Sequence, residues 1–72
     1  MSVLVLFINY LDRLWGIELP TDANVQDIYI ELDKLYGISQ INLKYNNIYL
    51  DPLIAIYDTS ILNEDILDAT CN

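Results

Sequence analysis

Asn24-Val25-Gln26-Asp27-Ile28-Tyr29-Ile30-Glu31-Leu32-Asp33-Lys34-Leu35-Tyr36-Gly37 is the stretch that decides the fold. Its apolar residues Val25, Ile28, Leu32 and Leu35 recur at helical spacing and form one stripe, flanked by Tyr29 and Tyr36. Asn24 or Asp22 is placed to cap the free amides at the start. Asp27 in the first turn and Lys34 in the last both complement the helix dipole. Gly37 suits the left-handed residue that ends a helix. The spacing therefore predicts one amphipathic helix that must bury one face against something else.

Upstream of the helix the period changes. Val3 to Ile8 is an unbroken apolar run with the β-branched and aromatic character of a strand. Asn9 to Arg13 reads as a turn. From Leu14 to Leu19, Trp15, Ile17 and Leu19 alternate with Gly16 and Glu18, the pattern of a half-buried strand. The two runs predict a hairpin, and Pro20 ends it because proline donates nothing to the ladder.

Downstream, Ile41, Leu43 and Tyr45 alternate with Asn42 and Lys44. Asn46-Asn47 tolerates positive φ and predicts a second hairpin, with a short return strand Ile48 to Leu50 halted by Asp51-Pro52. Leu53 to Asn63 is irregular, anchored by Ile56 and Ile61, with Asp58-Thr59-Ser60 suited to a short helical turn. Ile66 to Cys71 reads as a last strand with Leu67, Ala69 and Cys71 on one face. One helix packed across one mixed sheet of four to five strands buries every apolar stripe, so residues 1–72 are expected to form a single α+β domain.

The order strand, strand, helix, strand, strand, turn, strand resembles ubiquitin and its relatives, whose fold is the β-grasp. The likeness rests on the hairpin closed by Pro20, on Leu35-Tyr36-Gly37-Ile38, on Leu43-Lys44-Tyr45 and Leu50, and on the spacing Ile56-x-Asp58-x-x-Ile61-x-x-Glu64-x-x-Leu67. It covers nearly the whole chain, with a small shortening after Gly37. The resemblance implies a ubiquitin-like β-grasp domain. It also marks departures. Conjugated relatives end in a flexible diglycine tail, whereas this sequence ends Thr70-Cys71-Asn72, so a non-conjugated domain is expected. The positions matching ubiquitin's apolar patch centre and its basic neighbour carry Lys44 and Asn42. An ammonium there costs a receptor built for an aliphatic side chain on the order of a few kcal/mol in desolvation. Typical ubiquitin receptors are therefore not expected to bind. Only Lys34 and Lys44 are present, which leaves little room for a lysine-linked chain code.

Composition narrows the chemistry. The chain has no histidine and one cysteine, Cys71, so it lacks the commonest general base and any internal disulfide. No basic residue stands beside Cys71 in the sequence to activate it. Asp27 and Glu31, four apart on the helix, read as a solvated face, and Asn63-Glu64-Asp65 as a polar turn; neither has the alternating oxygen ligands of a calcium loop. No catalytic residue, cofactor or metal site is expected. Eleven acidic residues against three basic ones give a net charge of −8, which repels nucleic acid and anionic membranes and favours neutral or basic protein partners. The apolar run Val3 to Ile8 is too short to span a bilayer and has no signal-peptide flanks, so a cytoplasmic or nuclear protein is expected. The richness in Ile, Asn, Tyr and Asp suits an AT-rich coding genome, as in some large DNA viruses or protists.

The remaining signal is excess grease. Hydrophobic residues make up 54% of a chain too short to hide them all. If Trp15, Ile17 and Leu19 face the helix, hairpin pairing puts Val3, Val5 and Phe7 beside them and turns Leu4, Leu6 and Ile8 outward. A slip of one residue exchanges the two sets. The outward set, joined by Leu14 and Ile66 and by Tyr10 in the turn, predicts an apolar patch on the order of a few hundred Å². Docking of a protein partner, or self-association, is expected there, on the outer face of the first hairpin. An obligate subunit of a larger assembly is the alternative.

Overall fold

The first and last strands of this chain lie side by side in the middle of its sheet. The computed structural model describes residues 2–71. The elements are β1 (Val3–Tyr10), β2 (Arg13–Pro20), α1 (Val25–Tyr36), β3 (Ile41–Tyr45), β4 (Ile48–Tyr49), a 3-10 turn at Ile56–Asp58, and β5 (Asp65–Cys71). The sheet order is β2-β1-β5-β3-β4. β1 and β5 run parallel and every other neighbouring pair antiparallel. A parallel pair needs a long crossover, and α1 with the strands after it supplies one. This is the ubiquitin-like β-grasp architecture that the order of elements implies. Asn72, on which the expectation of an unjoinable end rests, lies outside the described residues.

The helix forms as its sequence predicts. Asp27 accepts a hydrogen bond from the Asn24 amide at 2.9 Å, so the start is capped. Gly37 adopts φ 69°. Its amide donates to the Asp33 carbonyl, and the Ile38 amide donates to that of Leu32. That closing pattern brings Ile38 back into the core, where it is buried. Val25, Ile28 and Leu32 are buried as well, but Leu35 is half exposed. The stripe thus ends one turn earlier than its spacing predicts, and Ile38 takes the place expected for Leu35.

The core lies between the helix and one sheet face. Leu6 and Ile8 of β1, Ile17 and Leu19 of β2, Ile41 and Leu43 of β3 and Leu67 of β5 meet the helix, with Ile56 and Ile61 closing one end. Tyr29 ties helix to sheet by accepting a hydrogen bond from the Leu43 amide at 3.0 Å.

The first hairpin corrects an expectation. Its loop is only Leu11-Asp12, both at positive φ (55° and 59°), with Tyr10 paired to Arg13. Leu4, Leu6 and Ile8 therefore stand opposite Leu19, Ile17 and Trp15 and share their inward face. Leu6 and Ile8 have no exposed surface at all and Leu4 packs against the core. These three do not face outward; Val3, Val5 and Phe7 do. The cause is turn length. A two-residue loop pairs Ile8 with Trp15, whereas a loop one residue longer would have paired Phe7 with it.

Candidate docking surface

The outer sheet face is built from the alternate residues of each strand, and pairing fixes which of them meet. Phe7 on β1 lies between Gly16 on β2 and Ile66 on β5. Gly16 has no side chain, and the Phe7 ring lies over it; a Cβ placed on Gly16 would sit 3.5 Å from the ring edge. Val5 stands opposite Glu18, and Leu14 opposite Asn9. Val3, Val5, Phe7, Leu14 and Ile66 thus share one face with no helix over it. Leu14 is 57% and Ile66 51% exposed.

Beyond Ile66 the same face turns polar. One row crosses all five strands: Leu14, Asn9, Asp68, Lys44, Tyr49. The Asn9 side-chain amide donates to the Asp68 carboxylate at 3.3 Å, and the Lys44 ammonium lies 4.9 Å from the centre of the Tyr49 ring. At Lys44 the face is therefore polar. Its apolar half lies toward β2, where Glu18 borders it.

The start of β5 determines where Ile66 points. The Val5 amide donates to Asn63 Oδ1 at 2.8 Å, and the Glu64 amide donates to the Val5 carbonyl at 2.6 Å. Asp65 turns inward, where it accepts hydrogen bonds from the Tyr45 hydroxyl at 2.5 Å and the Leu62 amide at 3.0 Å. The next residue, Ile66, must then point outward.

Of the residues the sequence nominates for docking, Leu14 and Ile66 lie on this face, and Leu4, Leu6 and Ile8 lie beneath it. Tyr10 turns toward the helix side and packs against the core, with its hydroxyl 3.5 Å from Cys71 Sγ. That contact, then partial desolvation, raises the Tyr10 pKa above the ordinary phenol value. Val5 and Phe7 belong to the alternate set that a slip of one residue turns outward, and Glu18 was not nominated. The signal that would have found them is the length of the Leu11-Asp12 loop.

Among the described residues no group of His, Cys, Asp and Glu is arranged to hold a metal ion, and no helix is long and apolar enough to cross a membrane. Among the other exposed apolar side chains, Ile48 lies on β4, Tyr57 in the 3-10 turn, and Leu53 and Leu62 in the loops around it.

No protein-family model matches the chain, and no curated protein does either. Among solved structures, one described as molecular mimicry of SUMO that promotes DNA repair is similar over 97% of this chain and 92% of its own. The two are 20% identical, with a TM-score of 0.85. The likeness establishes the fold.

Proposed function

We propose that this chain is a ubiquitin-like protein–protein interaction domain that is not itself conjugated. Its docking surface is the apolar half of the outer sheet face, centred on Phe7 and Ile66 with Val5 and Leu14 around them. The observation that carries this reading is the exposure of Leu14 and Ile66 beside Phe7 on a face that the chain's own helix does not cover. A half-solvated sheet is ordinarily polar on that side. The partner is a protein with an apolar contact flanked by basic residues, because the patch is bordered by Glu18 and the chain carries a net charge of −8.

The similar structure supports a finer version. A protein that mimics a ubiquitin-like modifier in DNA repair uses this architecture, and the present domain fits the same kind of role: occupying a surface that otherwise recognises a conjugated relative. In this reading the domain works in the cytoplasm or nucleus. A composition suited to an AT-rich genome fits a large DNA virus or a protist as the source; if it is viral, the partner belongs to a host or viral complex.

The test is retention of native partners by Ile66→Asp and Leu14→Asp, which alter exposed positions and leave the core intact. Loss of the same partner from both variants, with unchanged melting, is expected. Retention by both refutes the surface.

A second reading is favoured by one observation. Leu53 is 78% exposed, and Leu62, Tyr57 and Ile48, which are not part of the proposed patch, are also exposed. A domain with apolar side chains on several sides suits an obligate subunit or homo-oligomer. A well-behaved monomer in size-exclusion chromatography argues against it.

A further inference from the structure

β2 is an outermost strand of the sheet, and an open strand edge is a template for another strand. The hydrogen bonds of Val5 identify the groups that face this edge. Val5 uses both its amide and its carbonyl on the β5 side, with Asn63 and Glu64. In an antiparallel pair, a residue whose backbone groups point away from its partner sits opposite one whose groups also point away. Glu18 is opposite Val5. By alternation Leu14, Gly16 and Glu18 turn their amides and carbonyls to the open side, and Pro20 continues the series without an N–H.

The middle of that series is occupied. The Tyr36 hydroxyl donates to the Gly16 carbonyl at 2.6 Å. The Tyr36 ring packs against Trp15 with centroids 5.0 Å apart at 59°. Trp15 is itself fixed: its indole N–H donates to the Tyr10 carbonyl at 3.1 Å, and the Arg13 guanidinium lies 4.7 Å from its ring centre. On the other side of Tyr36, the left-handed Gly37 ends the helix.

We infer that Tyr36 is a lock that closes the open edge of β2 to any added strand, including β2 of a second copy. An incoming strand must bond at Leu14, Gly16 and Glu18 in succession. With the Gly16 carbonyl taken by the Tyr36 hydroxyl, the carbonyls of Leu14 and Glu18 are left as two separate acceptors about 14 Å apart. Beside the edge lies an open groove of about 540 Å³ lined by Val5, Gly16, Ile17, Glu18, Glu31 and Leu35, so it is the backbone bond at Gly16, and not a filled groove, that stands against an added strand. The lock leaves the sheet face as the accessible route to the domain. It differs from the docking reading in the groups it uses, which are the backbone N–H and C=O groups of the edge and not the side chains of the face.

The test uses Tyr36→Ala, which removes bond and ring, and Tyr36→Phe, which removes the bond alone. Self-association is followed by sedimentation and by amide resonances over a concentration series, in high salt to screen the net charge. In the wild type the Leu14, Gly16 and Glu18 amides stay put as concentration rises. In Tyr36→Ala they move, self-association tightens about tenfold or more, the equivalent of an added hydrogen-bonded pair, and adding Glu18→Pro reverses both effects by deleting an edge N–H. In Tyr36→Phe the Gly16 carbonyl resonance shifts and the three amides move by a smaller amount. Four results overturn the inference. One is a folded Tyr36→Ala whose edge amides do not respond to concentration. Another is a wild type that responds as strongly. A third is movement confined to Val5, Phe7 and Ile66. If Tyr36→Ala does not fold, an unchanged Gly16 carbonyl with still amides in Tyr36→Phe overturns it equally.

Discussion

The Tyr45 hydroxyl donates a hydrogen bond to the Asp65 carboxylate, and this bond holds the residue immediately before Ile66. It also makes stability depend on pH. The Tyr45 bond first, and the Leu62 amide second, hold the Asp65 carboxyl below the usual carboxylate range against an opposing push from burial. A carboxyl with a lower pKa folded than unfolded adds stability above its unfolded pKa and loses it as pH falls through its folded value. Tyr45 shifts the other way, upward, mainly through the same bond. Its contribution is present below the ordinary phenol pKa and is lost as pH rises through the folded value. Asp65→Asn is therefore expected to flatten the acid limb of a melting-temperature profile, and Tyr45→Phe to flatten both limbs. Parallel profiles for wild type and Tyr45→Phe would contradict this.

Burial separates two aliphatic positions that sequence alone treats alike. Leu6 has no exposed surface, so Leu6→Ala is expected to cost roughly 2–5 kcal/mol, much of the stability of a domain this size. Ile66→Ala on the exposed face is expected to cost less than about 1 kcal/mol. Urea unfolding of the two variants checks the order, and equal losses would place Ile66 in the core.

Gly37 carries the helix ending at φ 69°, and a Cβ added there would meet nothing within 4 Å. Gly37→Ala is thus expected to lose about 1 kcal/mol through backbone strain alone, and Gly37→Asn less, because asparagine tolerates that conformation better. Chemical denaturation of both variants separates strain from crowding: crowding would penalise asparagine more.

Gly16 behaves in the opposite sense. It lies within a strand, and an added Cβ would meet the Phe7 ring at 3.5 Å, an ordinary contact. Gly16→Ala is expected to raise stability by about 0.5–1 kcal/mol by removing the entropy loss of glycine in a strand. A fall in melting temperature would show that the close approach of Phe7 to the bare backbone is required.

Much of the architecture was legible because its signals are local. Asn24 to Gly37 contains both caps and the stripe between them, and Asn46-Asn47 marks the second hairpin by residue type; both asparagines have positive φ. The docking surface was legible only in outline. Val3 to Ile8 is apolar at every position, so no alternation says which set faces the helix, and the choice passes to the turn. There the residues are Leu11 and Asp12, not the Asn-Gly or Asp-Gly that announces a two-residue loop. A leucine at φ 55° is held there by the strands it joins, and no local propensity reveals it. The excess of apolar residues and the hairpin that carries it were readable; the identity of the exposed set was not. Leu35 illustrates the same limit, since helical spacing cannot show that Ile38 returns past Gly37 to fill the core.

If the outer sheet face, and not the helix, meets the partner, the two sides of the domain must differ in what covers them. Ile66 and Ile30 make a matched pair for testing this, one on each side and exposed to 51% and 53%. A photoreactive side chain placed at each position in turn, with crosslinking in the native cell, reports which side is covered. The predicted result is a protein adduct from position 66 that disappears when Leu14→Asp is added, and none from position 30. An adduct from position 30 with none from position 66 would contradict the proposed surface and move the contact to the helix.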